Sequence, residues 1–388
     1  MREIVIVGAG IVGASLALDL ARRSRLRITV VDRGGAAPLG STIFAPGFVG
    51  HYNDAAVLVR LARASVAVYR NADRGFAQAG GLELATTEAG AAEIERRSRA
   101  ARAAGLASEM VDPARAVEAV PFVDGSAVVA AARCSDDAVV DPPVLRAALQ
   151  AQAERHGARF VEGNVVAIDA GDRVRAVMTA EGQRFAADDV VLAGGVWGPW
   201  LATMVGLTLP LFPVAHPYVY SAAHARHSGG PFVRWPEHHV YARMHGDRLG
   251  IGSYDHAPVL VGQDELQQGA NLVWAHAFDR VILDAQRLLA ADARFAADRR
   301  VNGVFAMTPD NLPFLGPHPG IAGLWIAQAI WITHAAGAAG SLAAAMLDRG
   351  DLALELAVDR FEGRDEDELK RAALRLYRDI YANDSVAA

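Results

Sequence analysis

The reading of this chain turns on its opening, MREIVIVGAGIVGASLALDLARRSRLRITVVDR (residues 1–33). Residues 4–7 are a continuous apolar run of strand length, and Gly8, Gly10 and Gly13 follow at the spacing GxGxxG, with Ile11 and Val12 between them. Residues 14–22 place Leu16, Leu20 and several alanines at helical spacing; residues 27–31 are a second apolar run, ending at Asp32 and Arg33. In this context the glycines permit a tight turn and close backbone approach to a pyrophosphate, which the helix N-terminus attracts. Asp32 stands 22 residues after Gly10, where a carboxylate accepts hydrogen bonds from a ribose hydroxyl. The stretch predicts a βαβ unit that binds a dinucleotide.

Composition narrows the setting. At 388 residues the chain is long for one core, so two intertwined domains are expected. Hydrophobic residues make up 52% and charged residues 21%, an ordinary globular balance, and the net charge of −6 gives no reason to expect nucleic acid or an anionic membrane surface. The basic cluster RRSR (residues 22–25) suits a solvated helix end. No apolar run reaches the roughly 18–20 residues that span a bilayer, and the first strand breaks at Gly8 rather than continuing as a signal peptide. A cytoplasmic protein is the expectation. Cys134 is the single cysteine, which excludes an intrachain disulfide and a thiolate metal site. Among 12 histidines the pair His238-His239 lacks metal-ligand spacing, and on a strand the two would face opposite ways, so no metal is expected.

Further along, residues 54–72 read as a helix and residues 80–87 as a strand. Asp141-Pro142-Pro143 reads as an N-cap with proline at N1, and Gly157 lies past the far end of that helix. Strands follow near 160–168, 174–179 and 190–193. From His216 to Tyr254 the pattern changes to short strands rich in Tyr and Val, with turns placed at His245-Gly-Asp and at Gly250. A helix over 271–291, a short strand over 324–327 and an alanine- and glycine-rich helix over 335–347 complete the pattern. The fold class expected is α/β. A Rossmann-type domain (1–75, 140–212 and 300–388) is interleaved with an antiparallel-sheet substrate domain (76–139 and 213–299).

Residues 40–47, GSTIFAPG, raise the question of which dinucleotide is bound. Ser41 and Thr42 offer hydroxyls to phosphate oxygens, and Ala45-Pro46-Gly47 lets backbone approach a flat ring; an ordinary surface turn would use the same residues. Five more stretches stand with this one: GGLELATTE (80–88), PLFPVAHPYVY (210–220), HGDRLGIGSY (245–254), TPDNLPFLG (308–316) and LWIAQAIWITHAAG (324–337). Taken in order, they give a chain that resembles the FAD-dependent amine oxidoreductases of the glycine/sarcosine oxidase type. The likeness is in particular to the flavin half of the dimethylglycine oxidases and dehydrogenases.

The resemblance implies that Gly8–Gly13, Asp32 and Arg33 hold the ADP half of FAD, and that Gly40, Ser41, Thr42, Phe44 and Phe48 line the path to the flavin. It implies a backbone contact from Val166 to the adenine, a second glycine-rich strand end at Gly195 and Trp197, and Trp331, Ile332, Thr333 and His334 along the flavin pyrimidine edge. Covalent relatives carry histidine where this chain has Phe44, so the resemblance implies non-covalent FAD. His216 and Tyr241 match its catalytic pair. A histidine titrating near neutrality would keep the amine nitrogen unprotonated, although a structural histidine is the commoner use of that residue type. Arg234 and Arg243 could clamp a substrate carboxylate or be solvated strand charges, and Tyr254 and Trp331 could wall the amine site or pack the sheet.

The expected reaction is oxidation of a secondary or tertiary amine by hydride transfer to flavin N5, giving an imine that hydrolyses. Oxygen or an electron-transfer protein would act as acceptor. A folate-binding domain follows the corresponding segment in bifunctional relatives and is not expected in this chain; a homo-oligomer fits. A D-amino acid, a cyclic imino acid or a biosynthetic amine is the alternative substrate, and a flavin-carrying subunit inactive without a partner is the alternative class.

Overall fold

The computed structural model describes residues 1–23, 25–35, 39–223, 229–266 and 272–380. Its first elements are those of the opening stretch: strand Glu3–Val7, helix Ile11–Arg23 and strand Arg27–Asp32. They nucleate a six-stranded sheet in the order Phe314–Pro317, Leu324–Gln328, Asp189–Leu192, Glu3–Val7, Arg27–Asp32, Arg159–Glu162. Only Phe314–Pro317 runs antiparallel. The central strands are apolar throughout because both faces are covered. Ile4, Ile6, Ile28 and Val30 pack against helices Ile11–Arg23, Pro142–Arg155 and Ala335–Met346. Val5, Val7 and Val31 face a three-stranded antiparallel sheet, Val165–Ala170, Val174–Thr179 and Arg184–Ala186.

Local signals explain several elements. Asp141 caps Pro142–Arg155 by accepting from the Val144 amide at 3.2 Å. The small residues of Ala335–Met346 bring it against helix Ala56–Tyr69: a methyl on Gly337 would fall 2.2 Å from the Leu61 carbonyl oxygen. Helix Glu88–Ala103, which the sequence reading left out, is capped by Thr87 and carries few apolar residues; it is fixed by a buried bidentate pair between Arg97 and Glu83 at 2.8 and 2.9 Å.

The second layer is a nine-stranded sheet in which Phe212–Tyr220, one strand in from an edge, faces a cleft with His216 and Tyr218. It pairs with Arg248–Ser253 and Val259–Leu260 along one edge and with Arg299–Met307 along the other. Val240–His245, Phe232–Trp235, Gly81–Ala85, Ala130–Cys134 and Ser108–Val111 extend it outward.

Here the structure departs from the sequence reading. Residues 300–307, assigned to the nucleotide-binding part, belong to the antiparallel sheet, and helix Glu366–Arg378 packs on the same sheet. Gly250 is not a turn: it lies mid-strand, where a methyl would meet the Tyr218 hydroxyl at 2.3 Å. The run 160–168 splits between two sheets. The helix expected over 271–291 is confined to Ala277–Ala285 and a 3-10 turn, Gln286–Leu288; Asn271 lies outside the described residues. His238 and His239 sit in a turn rather than a strand, with His239 at φ 53°. Among the described residues no helix is long and apolar enough to cross a membrane.

Candidate active site

One long cleft runs between the parallel sheet and the antiparallel sheet, enclosing about 1640 Å³ of space that is partly open to solvent. Its lining runs from the glycine turn at residues 8–12 to His216 and Trp331, the extended shape a dinucleotide needs.

At one end the glycine turn forms the wall. Gly8 has φ 109°, and a methyl there would strike the Ala193 carbonyl oxygen at 2.4 Å, so two strand ends meet with no room for a side chain. Gly13 faces away from the cleft and packs on the Gly8 carbonyl. Asp32 binds the turn itself: it accepts from the Ala9 amide at 2.7 Å and the Gly34 amide at 2.8 Å while still lining the cleft. Thr42 closes over the helix N-terminus, accepting from the Ile11 amide at 3.2 Å, which leaves its hydroxyl hydrogen to point elsewhere. Helix Ile11–Arg23 presents its positive end to the cleft and carries Arg22 and Arg23 in its last turn, as the macrodipole favours.

Ile11, Val12, Gly10, Arg33, Gly40, Ser41, Phe44, Gly195, Trp197, Trp331 and Ile332 all line this cleft. Arg33 stacks on Trp197 at 4.0 Å, and both donate to the Leu266 carbonyl. Val166, Phe48, Thr333 and His334 stand off the wall. Val166 is exposed, the lining residues there being Gly163, Asn164 and Val165, because the strand begins rather than ends at this point. Phe48 packs on Tyr241 and Phe232, and its carbonyl accepts from the Thr333 hydroxyl at 3.2 Å. His334 is buried behind Ile332, with burial pushing its pKa down to about 3.

The sequence reading missed Arg146, which lines the cleft and donates to the Ala9 carbonyl at 2.7 Å. It sits on a helix amid core leucines, where a lone arginine carries no local signal. Ala329 also lines the cleft with φ 57°, a strained conformation for a residue with a Cβ.

At the other end the wall is His216, Tyr218, Val301, Gly303, Phe305 and Trp331. His216 is buried, with both ring nitrogens engaged: Nε2 lies 2.5 Å from the Tyr241 hydroxyl and Nδ1 2.7 Å from the Tyr377 hydroxyl. Burial, with a smaller contribution from His256, holds His216 well below the ordinary histidine range. The expectation of a histidine titrating near neutrality is corrected: burial disfavours the charged imidazolium here. Tyr241 packs among Phe48, Tyr218 and Tyr254 and reaches the cleft through His216. Tyr254 lies 4.4 Å from the His216 ring, inside the aromatic cluster rather than on the cleft wall.

The two arginines proposed as a carboxylate clamp serve elsewhere. Arg243 is buried and donates to the carbonyls of Gly47 at 2.8 Å and Val140 at 3.1 Å, tying residues 40–47 to their neighbouring strand. Arg234 lies over the Phe232 ring at 4.8 Å, on the wall of a separate small cavity shared with Glu83 and Arg97. Tyr218 was legible in principle, because it follows His216 by two residues and shares its strand face. Tyr377 was not: it reads as one more apolar position of an amphipathic helix.

A parallel sheet with a glycine turn at its strand ends, facing an antiparallel sheet across a cleft with a buried imidazole, defines a dinucleotide-dependent oxidoreductase. The chain belongs to the FAD dependent oxidoreductase family, whose model matches residues 3–346. It is 28% identical over 358 residues to human mitochondrial dimethylglycine dehydrogenase, covering 86% of this chain and 41% of that protein. It is also 28% identical to glycine oxidase of Geobacillus kaustophilus, over 84% of this chain and 86% of that one. The crystal structure of that glycine oxidase superposes with a TM-score of 0.78 at 27% identity, covering 94% of this chain and all of the other. The chain thus spans less than half the length of the mammalian dehydrogenases it matches. Membership of this family makes it an FAD-dependent oxidoreductase.

The residues present fit that cofactor. Gly8 and the helix N-terminus would hold a pyrophosphate, Asp32 and Arg146 line the same end of the cleft where a ribose would need polar partners, and the strip Gly40, Ser41, Thr42 and Phe44 offers two hydroxyls and a flat surface along the same wall.

Proposed function

We propose that this chain oxidises a secondary or tertiary amine, with an N-methylglycine or dimethylglycine-like compound the leading substrate. FAD is held without a covalent link, because Phe44 has no ring nitrogen to bond it. When bound, FAD supplies the two-electron acceptor. The chain's own residues do the rest. The ADP half is held by residues 8–12, Asp32 and Arg146, while Ser41, Thr42, Trp331 and Ile332 flank the flavin. His216 and Tyr241 keep the substrate nitrogen unprotonated.

The observation that carries this reading is the buried His216 bonded to two tyrosine hydroxyls on the wall of an aromatic cavity. Loss of a hydride from the carbon beside nitrogen needs the nitrogen lone pair, and an uncharged imidazole has a ring nitrogen that can accept the proton occupying it. The imine then hydrolyses, and an N-methyl substrate yields formaldehyde and the demethylated amine.

The wall around His216 also favours a second reading. The arginines lining the cleft, Arg33 and Arg146, both stand toward Asp32, while the described residues at the His216 end are aromatic, aliphatic or small. An amine whose other substituent is uncharged suits that wall better than one with a carboxylate. Product analysis separates the cases. Sarcosine, dimethylglycine, N-methylpiperidine, proline and D-alanine are supplied with an artificial electron acceptor, and formaldehyde and ammonia are measured. Formaldehyde from an N-methyl substrate supports the reading. Ammonia alone, or no product from any N-methyl compound, overturns it.

A further inference from the structure

The two tyrosines on His216 belong to a longer chain of hydrogen bonds whose direction is set at its far end. His256 Nδ1 lies 2.9 Å from the Ala257 carbonyl oxygen, which can only accept, so Nδ1 carries the hydrogen. Neutral His256 then offers its lone pair at Nε2, 2.8 Å from the Tyr377 hydroxyl. The Ala215 carbonyl, 3.1 Å from the same hydroxyl, can likewise only accept, so the single hydrogen of Tyr377 goes to one of these two and its oxygen accepts from His216 Nδ1–H at 2.7 Å. His216 is left with its lone pair at Nε2, beside the Tyr241 hydroxyl at 2.5 Å. His256 is buried, yet Asp255 and Ala257 on either side of it are exposed, so the chain ends just beneath the surface.

Resting on the amine-oxidising reading of this cleft, we propose that Tyr377 and His256 are positioning residues: they hold His216 as its Nδ1–H tautomer and carry the proton of a bound ammonium out of the cleft. The proton enters at His216 Nε2, directly or through Tyr241. The Nδ1 hydrogen of His216 passes to the Tyr377 oxygen as the hydrogen of Tyr377 passes to His256 Nε2. One N–H bond of the amine is broken and one N–H bond of an imidazolium is made; no electrons change hands. The charge comes to rest where it is best tolerated. Burial lowers the pKa of both histidines, but the Ala257 carbonyl and Asp255 oppose that effect at His256, whereas nothing of the kind offsets it at His216. The other groups packed on the relay are Tyr254 and the apolar rings of Phe278 and Phe305.

Two measurements test this. The first needs neither substrate nor flavin turnover: long-range 15N spectra of histidine-labelled protein, with His216 assigned by its loss in His216→Gln. The Nδ1–H form is expected in the parent, with that preference lost in Tyr377→Phe. The second is the pH profile of flavin reduction by sarcosine, or by N-methylpiperidine if sarcosine does not reduce the parent. Tyr377→Phe should slow reduction about 100-fold at pH 7 and converge on the parent toward pH ~10, where an alkylammonium loses its proton unaided. His256→Ala should show the same profile and be rescued at pH 7 by added imidazole. An unchanged tautomer in Tyr377→Phe, or a loss of rate equal at every pH, would overturn the relay. A parent that no amine reduces would sink the functional reading instead, leaving the tautomer result to judge the hydrogen-bond chain.

Discussion

Two neighbouring glycines should fail in opposite ways when given a methyl group. At Gly13 the added carbon falls 1.9 Å from the Gly8 carbonyl oxygen and 3.0 Å from its carbon, both backbone atoms. Comfortable contact begins near about 3.5 Å, so the helix must move by more than an ångström or the turn must open. Overpacking of that kind costs about 1–3 kcal/mol or more. At Gly10 the added carbon meets only Thr42 Oγ1, at 3.4 Å, among the described residues, and otherwise projects into the cleft. Gly10→Ala should therefore leave the flavin-free protein within about 0.5 kcal/mol of the parent. It should nevertheless weaken FAD binding about 100-fold, because the methyl occupies the space the pyrophosphate needs; that corresponds to roughly 2.7 kcal/mol. Urea melts of flavin-free protein and titration of each variant with FAD, followed by quenching of flavin fluorescence, give both quantities. Gly10→Ala binding FAD with parent affinity would refute the placement of the pyrophosphate, and Gly13→Ala with parent stability would refute the turn geometry.

Other outcomes follow from the same geometry. His334 is buried with its pKa lowered to about 3, so below the ordinary value of 6.5 the unfolded chain binds a proton that the folded one refuses. Stability is therefore present above pH 6.5 and lost as pH falls below it, by up to about 1.4 kcal/mol per pH unit. His334→Gln should flatten the fall in urea-melt stability between pH 6.5 and 4.5, and a variant with the parent slope would contradict the burial argument. Arg243→Met removes a buried donor from the carbonyls of Gly47 and Val140, although the Gly47 carbonyl keeps the Val140 amide at 2.9 Å; that should cost about 1–2 kcal/mol and weaken FAD retention. A raised KM with unchanged stability would restore it as a substrate clamp. His216→Ala should slow flavin reduction at neutral pH while the protein stays yellow, and Tyr241→Phe should do so more mildly. Parent rates in both would show that the base lies elsewhere. Acid precipitation should release the yellow colour into the supernatant, and colour retained in the pellet would mean a tether at a residue other than Phe44.

The nucleotide-binding half was largely legible in the sequence because its signals are local. GxGxxG needs a strand before it and a helix after it, and Asp141-Pro142 caps a helix within four residues. The substrate half depends on pairings distant in sequence. Nothing within residues 299–307 says that they will lie along Phe212–Tyr220 for nine residues. Nothing around Tyr377 announces a hydroxyl 2.7 Å from an imidazole 161 residues away. Arg243 shows the same limit from the other side, since an arginine flanking the site residues in sequence turned out to hold backbone carbonyls. Composition and spacing identify which residue types are available, while the long-range register of an antiparallel sheet decides which of them meet.

The central claim is that this cleft holds FAD so that a neutral amine can reduce it. The most direct measurement is anaerobic mixing of the flavin-loaded chain with sarcosine, dimethylglycine, N-methylpiperidine, proline and D-alanine, watching the yellow absorbance. Bleaching by at least one N-methylated amine, faster as pH rises from 6 to 9, is the predicted result. A chain that stays colourless after incubation with FAD, or a yellow one that no amine on that panel bleaches, would contradict it.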